Sequence, residues 1–143
     1  TKITNLNLFN NGIGPQGAAR LAEVLSQTQI TNLNLRNNKL GPEGGAALAE
    51  GLKVNSTLHS LDVCSNNITG DAANHLATVV LEHAAMTDFC GIPLASLREN
   101  SITELNLECK GVGMPGAIVL SKLLPSAAAL TSLNLAGNNI QAE

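Results

Sequence analysis

The stretch Ile30-Thr-Asn-Leu-Asn-Leu-Arg-Asn-Asn-Lys-Leu40 decides how this chain is built. Leu33 and Leu35 alternate with polar neighbours, the period of two expected of a strand with one buried face. Asn38 follows where the chain must turn inward. A buried turn strands backbone N–H and C=O groups away from water. An amide side chain both donates and accepts, so Asn38 is suited to satisfy them. Its neighbour Asn37 is expected to point into solvent.

The pattern recurs from starts at Ile3, Ile30, Leu58, Met86, Ile102 and Leu130, at spacings of 27, 28, 28, 16 and 28. Strand cores are Leu6-Asn7-Leu8, Leu33-Asn34-Leu35, Leu61-Asp62-Val63, Leu105-Asn106-Leu107 and Leu133-Asn134-Leu135. Asn11, Asn38, Asn66 and Asn138 fill the turn position. The second half of each full unit reads as a helix. Pro15, Pro42 and Pro115 stand near helix starts, where a missing N–H costs nothing. Leucines or valines four apart (Leu21 and Leu25, Leu48 and Leu52, Leu76 and Val80, Leu120 and Leu124) mark the buried helix face.

A 27–28-residue repeat of the form L-x-x-L-x-L-x-x-N-x-[IL]-x-x-x-G-x-x-x-L resembles the ribonuclease-inhibitor class of leucine-rich repeats. It is similar to the repeat domains of NOD-like receptors and Ran GTPase-activating proteins. The resemblance implies an α/β solenoid, a short horseshoe arc with parallel strands on the concave face and helices on the convex face. Packing distances agree, since strands stack about 4.8 Å apart and helices need roughly 8–10 Å. Residues 1–143 read as one such domain, with a short, degenerate unit at 86–101. The chain starts and stops inside the repeat grammar, as expected of a fragment of a longer chain. Its open repeat ends offer surfaces for assembly.

In the fourth unit Met86 and Phe89 keep the strand register, but Gly91 replaces the second strand leucine and Leu94 takes the asparagine position. Sixteen residues before Ile102 leave no room for a full helix. Leu94 and Leu97 are expected to fold back over the core. One outer helix should be missing, read as a tolerated deletion or, alternatively, as a partner notch on the convex side, and the strands of units three, four and five should stay adjacent. In the fifth unit Lys110 stands at the asparagine position.

Side chains between the strand leucines face the concave surface. The central row is Asn7, Asn34, Asp62, Cys90, Asn106 and Asn134. One flank holds Asn5, Asn32, Ser60, Asp88, Glu104 and Ser132, and the other Phe9, Arg36, Cys64, Ile92, Glu108 and Ala136. The candidate partner-binding residues are Asn7, Phe9, Asn34, Arg36, Asp62, Asp88, Glu104 and Glu108, with Asp62, Asp88, Glu104 and Glu108 concentrating negative charge. Such a patch steers a basic partner.

Composition narrows the function. The 143 residues are 44% hydrophobic with no Trp or Tyr, so the core is aliphatic. A net charge of −3, from 8 basic and 11 acidic residues, argues against nucleic-acid binding. No run is long enough for membrane insertion. Cys64, Cys90 and Cys109 show no close ligand spacing. They fall in successive strand regions and read as reduced apolar fillers, as expected of a chain inside the cell, in the cytoplasm or, for a fragment of a longer chain, in an organelle. His59, His75 and His83 share no compact motif and read as surface residues. No catalytic, cofactor or metal residue is assigned. The expected function is a protein–protein interaction module or scaffold. The family resemblance adds one alternative, a GTPase-activating or inhibitor-like enzyme regulator, and the convex side and open repeat ends offer another, a structural subunit of a large assembly.

Overall fold

The computed structural model describes residues 2–140. Residues 141–143, which end the sixth unit, lie outside the described part. Strand and helix alternate: β1 (Asn5–Asn7), α1 (Gly14–Val24), β2 (Asn32–Asn34), α2 (Gly41–Val54), β3 (Ser60–Asp62) and α3 (Gly70–Glu82). The irregular unit supplies β4 (Asp88–Phe89), β5 (Ile92–Pro93) and α4 (Leu94–Arg98). Then come β6 (Glu104–Asn106), α5 (Gly113–Leu123) and β7 (Ser132–Asn134). Strands β1 to β4 run parallel in neighbouring order, and equivalent residues pair: Leu6 with Leu33, Leu33 with Leu61, Leu61 with Phe89. The fold is a leucine-patterned α/β solenoid. No helix among the described residues is long and apolar enough to cross a membrane.

Leu33, Leu35, Leu61 and Leu107 turn inward from the strands and are buried. Leu25, Leu48, Leu52, Leu76, Val80 and Leu120 meet them from the helices, as the spacing predicts. Helix–helix contact relies on small residues. At Gly51 an added Cβ would lie 2.8 Å from the Ala22 carbonyl oxygen, so α1 and α2 touch backbone to side-chain-free backbone there.

The helices begin without side-chain caps. The first N–H groups are taken up by the following repeat instead: Gly14 N–H donates to the Asn38 carbonyl (2.8 Å) and Gly41 N–H to that of Asn66 (2.9 Å). Pro15 and Pro42 then follow with no N–H to satisfy.

The asparagines build a ladder between repeats. The Asn38 amide donates to the carbonyls of Leu8 (2.8 Å), Leu35 (3.0 Å) and Arg36 (3.2 Å), and its Oδ1 accepts from Asn11 N–H (2.8 Å) and Ile13 N–H (3.3 Å). Asn66 repeats this one unit on, donating to Leu35, Val63 and Cys64 and accepting from Asn38 and Leu40. Asn138 does the same for the fifth unit, through Leu107, Leu135 and Val112. Each asparagine thus closes the turn of the unit before its own. Asn37 is exposed, as expected, but has φ of 56° and donates to Asn10 Oδ1. It is a left-handed turn residue, where asparagine is favoured, rather than an inert neighbour.

The irregular unit departs from two expectations. Leu94 and Leu97 do fold into the core, on the five-residue α4. The convex notch does not form: α3 packs directly on α5 and closes the helix layer. The strands of units three and four stay adjacent as expected, but that of unit five does not join them. Cys90 and Gly91, with φ of 53° and 79°, turn the chain back. Positive φ at both central positions is the signature of a tight type I′ hairpin turn. β5 therefore pairs antiparallel on β4, and β6 pairs only with β7 in a separate two-stranded sheet. On the turn side, Ser65 N–H donates to the Gly111 carbonyl (3.0 Å), joining unit three directly to unit five. That backbone bond stands where Lys110 supplies no amide.

Candidate functional site

The concave face is the outer side of the two sheets. Strand register aligns its rows: Asn5, Asn32, Ser60 and Asp88 along one flank, and Asn7, Asn34 and Asp62 along the centre. In the second sheet Glu104 aligns with Ser132, and Asn106 with Asn134.

The central row carries a duty that the alternation pattern did not reveal. Oδ1 of Asn7, Asn34, Asp62, Asn106 and Asn134 each accepts the N–H two residues on, from Phe9, Arg36, Cys64, Glu108 and Ala136, at 2.9–3.0 Å. These side chains end their strands as Asx turns, which a short oxygen-bearing side chain forms with its own backbone. The signal was legible as an Asn or Asp at every central position except that of Cys90. On Asn7, Asn34 and Asn106 the amide nitrogen keeps no partner among the described residues, so the face presents a row of free donors. Another structural residue also escaped notice. Asn55, after α2, is buried and bonds Leu25, Thr57 and Leu58.

Of the remaining candidates, Phe9 is 50% exposed, the large apolar group of the face at its first repeat. Arg36 and Asp62 are half-buried; Asp88, Glu104 and Glu108 are exposed. The four carboxylates are divided between the two sheets. Asp62 and Asp88 sit on the five-stranded sheet, whereas Glu104 and Glu108 belong to the β6–β7 sheet beyond the hairpin. Glu108 Oε2 accepts from the Asn134 amide (3.4 Å). Cys64, Cys90 and Ile92, expected on the face, are buried. The hairpin turns Cys90 and Ile92 away from solvent, and β5 covers the edge where they would have shown.

Two further features lie off this face. An open depression of about 550 Å³ sits between the turns of units three and five, lined by Arg36, Ser65, Asn67, Thr69, Gly111 and Asn139 among others. On the helix side, His83 is buried, contrary to the surface expectation, because α3 ends there against the core. Its Nδ1 accepts from Ala85 N–H (3.3 Å) and its Nε2 has no partner among the described residues. His75 bonds Glu50 (2.7 Å), which Lys53 also contacts; the two donors hold the Glu50 carboxyl below the usual range.

The sequence model of the family described as Leucine Rich repeat matches residues 1–22, 27–49, 54–77 and 129–143, more than half of the chain. The unmatched stretch holds the irregular unit and the fifth repeat. No curated protein matches the chain. Among solved structures, one described as "Leiomodin-1 Actin-Binding Site 2 (ABS2)" is similar in fold, with a TM-score of 0.60 at 21% identity, covering 97% of this chain and 72% of that one.

Proposed function

The chain belongs to the leucine-rich repeat family, and on that premise we propose that it is a protein-binding module of the ribonuclease-inhibitor-like class, docking its partner on the concave sheet face. The observation that carries this reading is the row of unpartnered amide donors on Asn7, Asn34 and Asn106, held rigid because each Oδ1 is spent on its own turn. Donors fixed before binding lose little entropy on binding. Phe9 adds an apolar anchor at one end, and Asp88, Glu104 and Glu108 add exposed negative charge along the flanks. The face is read as non-catalytic: exposed carboxylates lack the burial or close charge partner that acid–base work needs. The partner is a protein whose docking surface supplies backbone or side-chain acceptors and basic groups. The fold likeness to a leiomodin-1 actin-binding site makes actin the first partner to assay directly.

The test places a photo-crosslinking residue at Asn34 or Asp88 on the sheet face and at Arg20 or Thr78 on the helix layer, with actin as the first partner offered and a cell extract as the second. Crosslinks to one protein from the sheet positions, and none from the helix positions, are expected. Capture from Arg20 or Thr78 alone would overturn the assignment of the face.

A further inference from the structure

Three groups that the repeat does not require as ligands converge where the parallel sheet ends. A carboxylate oxygen of Asp62 and the sulfurs of Cys64 and Cys90 lie within 4.8 Å of one another. Asp62 and Cys64 come from the end of β3, two residues apart. Asp62 Oδ1 accepts the Cys64 N–H (2.9 Å), which fixes the carboxylate and leaves its second oxygen open. Cys90 arrives from the next strand. In a regular unit position 90 would face solvent beside Asp62; the hairpin turn brings it inward, where it is 2% exposed. Cys64 is 1% exposed, and its thiol donates to the Cys90 carbonyl (3.8 Å).

Burying two thiols needs no special reason, because cysteine fills small apolar space. Setting a carboxylate against them does. No Lys, Arg or His forms a salt bridge with Asp62 among the described residues. The cluster therefore holds negative charge and latent negative charge with no cation to meet it. A divalent cation reverses that logic, since a coordinating thiol is deprotonated outright.

We propose that Asp62, Cys64 and Cys90 form a binding site for a thiophilic divalent cation of the zinc class, held by two thiolates and one carboxylate with water in the fourth position. The donor set selects the ion: two sulfurs favour a borderline-soft metal over calcium or magnesium, and the carboxylate fits zinc as well. Zinc–sulfur bonds of about 2.3 Å and zinc–oxygen bonds of about 2.0–2.2 Å in a tetrahedron put the donors some 3.6–3.8 Å apart. The three atoms reach that spacing by shifts of about 1 Å, within the range of a rotamer adjustment. The two thiol protons leave to solvent, and no group is oxidised or reduced. Asp62 is only half-buried, so the fourth position opens onto the concave face. The ion staples the antiparallel hairpin to β3 and gives the irregular unit a purpose beyond filling the core.

The experiment uses the reduced, metal-stripped chain titrated with cobalt(II), a spectroscopic stand-in for zinc, followed by zinc displacement. One cobalt per chain is expected, with a near-ultraviolet thiolate-to-cobalt charge-transfer band and intense red-region bands of tetrahedral geometry, both erased by stoichiometric zinc. Cys64→Ser and Cys90→Ser should each weaken binding by at least about tenfold and diminish the charge-transfer band. Asp62→Asn, on a half-buried position whose turn an amide preserves, should weaken binding while keeping that band. Cys109→Ser should change nothing. Absence of the band in the unmutated chain overturns the proposal without reference to how any variant folds. A band that survives in both Cys64→Ser and Cys90→Ser, or that vanishes in Cys109→Ser, overturns it as well.

Discussion

Asn66→Ala tests the ladder at its driest rung. All five hydrogen bonds of the Asn66 side chain are buried: donations to Leu35, Val63 and Cys64, and acceptance from Asn38 and Leu40. Truncation leaves those backbone groups without partners in a space that water does not reach. A buried polar group left unpaired costs about 1–3 kcal/mol. Relaxation recovers part of the sum, so the loss should be about 3–5 kcal/mol, at the upper end for a single substitution. The same change elsewhere should cost less, in the order of solvent access. Asn38 keeps one bond in the dry interior, to Leu35, and four at its margin, which gives about 2–3 kcal/mol. Asn11 bonds Leu8 and Phe9 in the open, where water substitutes, which gives less than about 1 kcal/mol. Asn37→Ala gives up a left-handed asparagine and one exposed bond, about 1 kcal/mol, rather than being silent.

Urea denaturation midpoints at constant slope read these differences. Asn66→Asp sharpens the test. It keeps an acceptor for Asn38 and Leu40 but replaces the donor with a charge facing three carbonyls, so it should be at least as damaging as alanine. Equal losses at Asn11, Asn38 and Asn66, or a mild Asn66→Asp, would refute the reasoning that buried backbone satisfaction sets the value of each rung.

Other expectations follow from the same geometry. Of the three free cysteines, only Cys109 is exposed; one thiol should react rapidly with a thiol reagent at neutral pH and two only on unfolding, because the Cys64 thiol is pushed up and stays protonated there. The melting temperature should be the same with and without reductant, and a fall on reduction would contradict the free-thiol structure. Gly51→Ala gains about 1 kcal/mol of helix propensity, yet its Cβ meets the Ala22 backbone oxygen at 2.8 Å; overpacking of that kind costs about 1–3 kcal/mol, so thermal unfolding should show net destabilisation. Asp62→Asn with Glu104→Gln should leave stability nearly unchanged, since an amide keeps the turn at position 62, while weakening a partner found on the sheet face and flattening its salt dependence; unchanged binding at low salt would move the interface elsewhere.

Much of the fold was legible because the repeat is a packing constraint written several times. Leu33 and Leu61 had to face inward, and a turn asparagine had to satisfy backbone groups wherever the chain bent into the core. What the period could not show was the division of labour within one side chain. Asn34 and Asp62 look free in a strand diagram, but their oxygens are committed to the next turn. The burial of Cys64, Cys90 and His83 was also hidden, because each depends on a neighbour that departs from the repeat. Cys90–Gly91 reads as an interrupted strand until two positive φ values make it a hairpin.

The irregular unit shows which layer of a solenoid absorbs an error. With 16 residues between Met86 and Ile102, either the convex layer opens or the concave layer reorganises. Opening the convex layer would expose the facing sides of two amphipathic helices, at about 25 cal/mol for each Å² of apolar surface. The helices close up instead, α3 on α5. The surplus then falls to the strand layer, where the cost is smaller. Phe89 holds the parallel register in the core, fully buried, and the chain folds back as β5. Pro93 lies on that outer strand, and having no N–H it is suited to an edge that no further strand joins. The parallel sheet therefore stops at β4 and restarts at β6. The disruption lands on the face proposed to bind, where it places Asp62 and Asp88 on one sheet and Glu104 and Glu108 on the other and turns Cys90 toward Cys64. A deletion in the repeat count thus becomes a break in the concave surface, with a pair of carboxylates on each of the two sheets.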